Sequence, residues 1–401
     1  MQLVSTERRE QIGVGCADID EKAKLYVNDV LNNERLSHGP YSLRLENEFA
    51  KLHACSSALL VNSGTSALQL AVAALKQVYN WQDNEEILCP AVTFVASANV
   101  ILMNNLKPVF VDVSEQSYNI DPAQIERHIT EKTKAIMVVH LFGQPADMDP
   151  IIEIAKKYNL KIIEDSCETM FVKYKGRPVG SFGEISCFST YMAHLITTGV
   201  GGLVCTSNSV HAETLKSLAN HGRDSIYLQI DDDKNLSAER LEQTVARRFK
   251  FIQLGHSFRL TEMEAALGVA QLERKDEILE KRRENAQYLI EGLGPLQAEL
   301  QLPSWPAYCE HAFMMFPLVI KKESTVQKKD LVMHLEKHNI ETREMLPLTN
   351  QPFYEKMYGD LESRYPVARW INNNGFYIGC HQKLFRGDLD YIIKCFHNFF
   401  L

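Results

Sequence analysis

In the stretch "FSTYMAHLITTGVGG" (188–202), His194 follows Ser189 by five residues and precedes a Thr-Thr-Gly turn. An imidazole, with an unperturbed pKa of about 6.5, can take or give a proton near neutrality. By itself such a histidine is as readily a surface residue or a satisfied core one. Three other stretches carry groups that would matter beside it. In "NSGTSAL" (62–68), Gly64 permits a tight turn, and Thr65 and Ser66 set hydroxyls beside the free N–H groups of a helix start. That is an anion site suited to a phosphate, or else a plain N-cap. In "IIEDSCE" (162–168), Asp165 ends a strand where a carboxylate can pair with a protonated ring nitrogen, and Glu168 lies three residues on. A helix cap or a surface turn would use the same residues. In "PAVTFVAS" (90–97), Phe94 can stack on a flat cofactor or fill the core.

The elements that would position these groups are legible as alternating patterns. Apolar runs at 57–62, 85–90, 107–113, 134–140, 160–165, 184–190 and 202–207 read as buried strands. Between the early ones, "GTSALQLAVAALKQV", "FVASANVILMNN", "DPAQIERHI" and "DPIIEIAKKY" have helical periodicity and helix-start residues. The alternation predicts an α/β fold with a mostly parallel sheet covered by helices on both faces. In such sheets ligands collect at the carboxyl ends of the strands, where all four stretches fall. The polar segment 221–240 reads as a surface excursion or a partner-contacting loop. Residues 260–293 carry a long helical pattern that fits two abutting helices. The remainder alternates short strand-like and helical pieces. Residues 1–275 are therefore expected to form a large α/β domain, and 276–401 a small α+β domain.

Bulk properties exclude several classes. Of 401 residues, 43 are Lys or Arg and 51 are Asp or Glu, a net charge of −8. That balance argues against a general nucleic-acid surface or a surface for anionic membranes, while leaving room for a local basic pocket. No apolar run approaches the roughly 20 residues needed to span a bilayer, and the N-terminus lacks the apolar core of a signal peptide. A cytoplasmic location is expected. The nine cysteines include no CxxC pair, so reduced thiols are expected rather than a zinc or iron–sulfur site.

Taken together, these words resemble the DegT-type sugar aminotransferases, a pyridoxal-phosphate family with the aspartate aminotransferase (type I) fold. The resemblance runs nearly end to end. It includes "NSGTSAL", "PAVTFVASANVILMNNLKPVFVDV", "HLFGQPADM", "IIEDSCE", "YKGRPVGSFGEISCFS", "TTGVGG", "RLTEMEAALGVAQLE" and "IETREMLPLTNQP". It implies that Gly64, Thr65, Ser66 and Ser189 hold the cofactor phosphate. Phe94 would stack on the pyridine, Asp165 would pair with its nitrogen, and Glu168 would approach the same ring. It also implies a homodimer with composite sites, in which Ser257 of "GHSFR" stands where an asparagine from the neighbouring subunit would reach the phosphate. Serine is shorter, and Val200 interrupts the customary "GEGG".

In that family the position of His194 normally carries the lysine that binds the cofactor aldehyde. An imidazole forms no such stable imine, but it can still move protons. This exchange is similar to that of the family's sugar 3-dehydratases, which implies pyridoxamine 5'-phosphate and pyridoxal 5'-phosphate as cofactor forms. The implied reaction removes the 3-hydroxyl of a nucleotide-linked 4-keto-6-deoxyhexose, with glutamate as amino donor. A related type uses a [2Fe–2S] cluster, and its close Cys-x-Cys pair is missing here. Two alternatives stand beside this reading. One is a nucleotide-sugar aminotransferase whose lysine lies elsewhere; Lys173 and Lys175 are amines of "FVKYKG", but the resemblance places them in a hairpin, away from the position that binds the aldehyde. The other is a cofactor-binding regulator without catalysis.

Overall fold

The computed structural model describes residues 10–226, 228, 232 and 234–400. The polar segment 221–240 thus falls partly outside the described residues.

Nine strands belong to the first two thirds of the chain: β1 (Ser57–Val61), β2 (Glu86–Pro90), β3 (Lys107–Val111), β4 (Thr133–Val139), β5 (Lys161–Asp165), β6 (Lys173–Tyr174), β7 (Arg177–Pro178), β8 (Ile185–Ser189) and β9 (Gly202–Thr206). Seven of them form one sheet in the order β1-β9-β8-β5-β4-β2-β3, and β6 and β7 pair as a separate hairpin. Pairing is parallel for β2 with β3 and β4, for β4 with β5 and for β5 with β8, whereas β9 runs antiparallel to both β1 and β8. The antiparallel insertion of β9 is the one feature of this sheet that alternation did not predict. The chain leaves β8, makes a short excursion that carries His194, and returns as β9 beside it. The connection holds no helix to cross over the sheet, and the two strands pair antiparallel.

The interior strands β2, β8 and β9 are buried at every position, as their Ile, Leu, Val, Cys and Phe content requires of strands covered on both faces. The helix Gly64–Val78 is buried along most of its length and packs across β8 and β9. Fully burying each Leu, Ile or Val contributes about 1.5–3 kcal/mol, which makes this sheet-and-helix layer the rigid base of the molecule.

The long periodic segment is indeed two helices, Glu262–Glu273 and Lys275–Leu293, divided at Arg274. The first opens on a capping box between Thr261 and Glu264. The second joins a separate apolar core through Ala286, Leu289 and Leu293. That core covers a four-stranded antiparallel sheet in the order β10 (Leu300–Gln301), β11 (Phe316–Ile320), β13 (Gly375–Ile378) and β12 (Arg343–Glu344). Ile12 belongs to this second core and bridges Ile340, so a strap of chain from the N-terminus crosses onto the C-terminal sheet. Two early helices, Glu21–Asn32 and Pro40–Leu52, were not read from the sequence. The buried Glu262 carboxylate accepts from the Gly39, Tyr41 and Ser42 N–H groups and from the Ser42 hydroxyl, which ties the start of the second one to the helix Glu262–Glu273.

Candidate active site

Because β1, β2, β4, β5 and β8 point the same way, the residues just past their C-terminal ends share one edge of the sheet. Asn62–Gly64 follow β1, Phe94 follows β2, His140–Phe142 follow β4, Asp165 ends β5 and Ser189 ends β8. The register places Asp165 opposite Val139 on one side and Cys187 on the other, two residues before Ser189.

Ser63 caps the helix Gly64–Val78, its hydroxyl accepting from the Ser66 N–H at 3.0 Å, while the Ser66 hydroxyl donates to Asn62 Oδ1 at 2.6 Å. This turn sits hard against β8. A Cβ on Gly64 would come within 2.7 Å of Ser189 Cβ and 2.8 Å of Cys167 Sγ. Gly64 therefore brings the helix N-terminus, with its unpaired N–H groups and partial positive charge, against the Ser189 hydroxyl. Gly64→Ala should cost about 1–3 kcal/mol through overpacking and weaken any phosphate ligand of this turn. Thermal melts, together with cofactor titration, check both effects.

Asp165 is buried, and its carboxylate accepts from the Ser97 hydroxyl at 2.7 Å and from the Cys167 N–H at 3.2 Å. Burial pushes its carboxyl pKa above the usual range, against the pull of those two donors. Among the described residues it makes no ion pair, so this carboxyl is buried without a cation beside it. Glu168 accepts from the Phe142 N–H at 3.0 Å, and burial, with Asp165 adding, pushes its carboxyl up to about 7. Phe94 is the N-cap of the helix Val95–Met103 and stays 56% exposed, an aromatic face left open at the strand edge.

His194 lies in the turn that leaves β8. The neck of this turn is closed by Thr190 and Thr198, whose hydroxyls are 2.6 Å apart, and by the Thr198 N–H donating to the Thr190 carbonyl at 2.8 Å. Gly199 turns the chain back at φ 92°, in the left-handed region that glycine tolerates. The imidazole Nδ1 lies 3.1 Å from the Ser189 carbonyl oxygen. A carbonyl only accepts, so this contact places the proton on Nδ1 and leaves Nε2 with the lone pair of a base. Burial pushes the imidazole pKa down to about 4, opposed by the Ser189 contact and assisted by the Arg282 charge. The ring is thus neutral at pH 7.

The structure gathers Gly64, Ser66, Asp165, Glu168 and Ser189, with Thr65 in the same first helical turn and His194 hydrogen-bonded to the Ser189 backbone. Ser257 is placed apart. It bridges Asn220, accepts from Arg259 at 3.1 Å, and lines a separate cavity of about 460 Å³ with Leu36, His38 and Arg259. Lys173 and Lys175 lie on or beside the β6–β7 hairpin, and Lys175 pairs with Asp149 at 2.5 Å.

A protein-family comparison decides the lineage: residues 17–397 match the DegT/DnrJ/EryC1/StrS aminotransferase family. The chain belongs to this family. It is 32% identical to GDP-perosamine synthase of Escherichia coli O157:H7, covering 94% of this chain and 96% of that one. It is 31% identical to dTDP-4-dehydro-2,6-dideoxy-D-glucose 3-dehydratase of Saccharopolyspora spinosa, covering 96% and 85%. Among solved structures, E. coli GDP-4-keto-6-deoxy-D-mannose-3-dehydratase with bound hydrated PLP superposes with a TM-score of 0.87. It is 26% identical, with 96% of this chain and 100% of that one covered. The chain therefore has the pyridoxal-phosphate-dependent aminotransferase fold shared by DegT/DnrJ/EryC1/StrS proteins.

The residues fit that cofactor on grounds internal to the site: a helix start that Gly64 brings against Ser189, a carboxyl buried without a cation among the described residues, and an exposed aromatic ring following a strand at the same sheet edge. Sequence reasoning missed Ser97 and Thr93, whose hydroxyls lie 2.8 Å apart and extend the Asp165 network. Their signal was two hydroxyls flanking Phe94 in an otherwise apolar run. It also missed Arg282, which donates to the His194 carbonyl from 88 positions away, with nothing in its local pattern to mark it. Among the described residues no three His, Cys, Asp or Glu side chains converge as a metal site, and no helix is long and apolar enough to cross a membrane.

Proposed function

We propose that this protein is a nucleotide-sugar 3-dehydratase that removes the 3-hydroxyl of a nucleotide-linked 4-keto-6-deoxyhexose, with His194 as its acid/base. What supports the reading is an imidazole that burial keeps neutral and whose Nδ1 faces the Ser189 carbonyl, leaving the Nε2 lone pair as the base, at the position to which the resemblance assigns the aminotransferases' lysine.

Pyridoxamine phosphate, when bound, supplies the amine that condenses with a keto group and the conjugated ring through which electrons leave toward the 3-hydroxyl. The protein's own groups do the rest. Thr65, Ser66 and Ser189 hold the phosphate at the helix start. Phe94 covers one face of the ring, and Asp165, kept in place by Ser97, holds the proton on the ring nitrogen. Glu168, shared near neutrality between its acid and carboxylate forms, borders the same ring. Nε2 of His194 takes a proton from a carbon and can return it. In this reading the site is composite in a homodimer, with Ser257 of the partner subunit near the phosphate, and glutamate restores the amine.

Transfer of an amino group is the competing reading, supported by the 32% identity to a perosamine synthase, against 31% to a dehydratase. The hairpin position of Lys173 and the engagement of Lys175 with Asp149 favour elimination. Turnover on a panel of nucleotide-linked 4-keto-6-deoxy sugars with glutamate separates the two. Ammonia release with loss of oxygen at carbon 3 is the expected result, and a stable amino sugar would overturn it.

A further inference from the structure

Arg282 is among the largest fully buried side chains of the protein, at 1% exposure. It projects from the helix Lys275–Leu293, and one guanidinium nitrogen donates to the Phe313 and Met314 carbonyls at 3.2 and 2.9 Å. The other donates to the His194 carbonyl at 3.3 Å. Its Nε has no hydrogen-bond partner among the described residues. The ionisable groups near its charge include the Cys16 and Cys380 thiols and the His194 and His381 imidazoles, and no carboxylate pairs with it among the described residues. A guanidinium buried without a counter-ion is unfavourable, and a methionine would fill the same space without that penalty. What the arginine adds is a rigid fork that joins three main-chain carbonyls from two separate segments, the Phe313–Met314 pair and His194.

Those segments need joining. Phe313 holds a left-handed backbone, φ 47°, and its carbonyl also accepts from the Cys380 thiol at 3.2 Å. The His194 turn is an excursion from the sheet whose back is met by the N-terminal strap, where a Cβ on Gly15 would fall 2.7 Å from Ala193 Cα. The imidazole is tied on its own side to the Ser189 carbonyl.

We infer that Arg282 is a positioning residue for His194: its fork ties the His194 main-chain carbonyl to the Phe313 and Met314 carbonyls, fixing the imidazole-bearing turn against the helix Lys275–Leu293. This rests on the reading of His194 as the acid/base. The groups facing the imidazole are Tyr191 from its own turn, with ring centroids 6.0 Å apart, and Arg282 from the helix. Cys16 of the strap, Cys380 and His381 surround the guanidinium.

The test compares Arg282→Met with the native chain by histidine-selective NMR titration, the His194 resonance being assigned by its loss in His194→Asn. Removing the cation and the clamp should raise the His194 midpoint. It should also lower kcat on the keto sugar at least roughly tenfold, with KM nearly unchanged. A packing role alone would lower the melting temperature and leave the midpoint in place, and that result would overturn the inference. If the methionine variant does not fold, Arg282→Lys decides, since an ammonium cannot span all three carbonyls. A tenfold loss of kcat at constant KM supports the clamp, and native kcat overturns it. Full turnover in His194→Asn would remove the acid/base reading, while the NMR midpoint still tests the contact.

Discussion

His194→Asn is expected to lower elimination by about a thousandfold while cofactor binding persists. The expectation follows from the division of labour in the site. General acid–base groups contribute roughly 10²–10⁴ in rate, and asparagine can keep the hydrogen bond to the Ser189 carbonyl but cannot cycle a proton. The cofactor contacts assigned to Thr65, Ser66, Ser189, Phe94 and Asp165 are untouched by the change. Absorbance titration with pyridoxal phosphate, beside turnover on the keto sugar, checks both halves. The same variant makes a pH prediction. Burial holds the native imidazole at about 4, below its ordinary value near 6.5, so the fold prefers the neutral ring. Its contribution to stability is present above about pH 6.5 and is lost as pH falls through about 4. Melting temperatures measured from pH 7 to pH 4 should fall less steeply for His194→Asn than for the native chain.

Asp165→Asn is expected to weaken pyridoxal phosphate binding by about 10- to 100-fold, the worth of a buried charge-assisted hydrogen bond. Turnover should fall with it, because the ring nitrogen no longer has a carboxylate to keep it protonated. Stability of the protein without cofactor should move the other way or not at all. Burial holds the Asp165 carboxyl above its ordinary pKa, so this group stabilises the fold most at low pH and progressively less as pH rises through its folded value. A neutral amide of nearly the same shape removes that conflict at pH 7–8, and the Ser97 hydroxyl can still donate to its oxygen. The melting temperature without cofactor should thus be equal or higher, with a smaller rise on adding pyridoxal phosphate. A large drop without cofactor would show that the carboxylate supports the fold rather than a ligand.

Gly64, Ser66, Asp165 and Ser189 were legible before any coordinates because each sits at a change of pattern. An apolar strand ends, and small or acidic residues appear where a core would not place them. The stretch 260–293 was legible as a long helical pattern that fits two abutting helices, and the structure places their division at Arg274. Ser257 shows the opposite case. Its motif was visible, but within one chain it lines a cavity lined by neither Ser189 nor His194.

The sequence by itself determined the alternation of strands and helices and the carboxyl edge at which chemistry would collect, and its resemblance to the family supplied the expectation that an imidazole stands at position 194 in place of an amine. The first two are local properties, written in periodicity and in residue type. Only the tertiary structure decided the state of that imidazole: the Ser189 carbonyl chooses its tautomer, and burial beside Arg282 keeps it uncharged. The antiparallel return of β9, the Ser97 support beneath Asp165 and the arginine fork were decided there too. Each depends on groups far apart in sequence whose meeting is set by packing, and pairwise electrostatics acts through distance in space rather than along the chain.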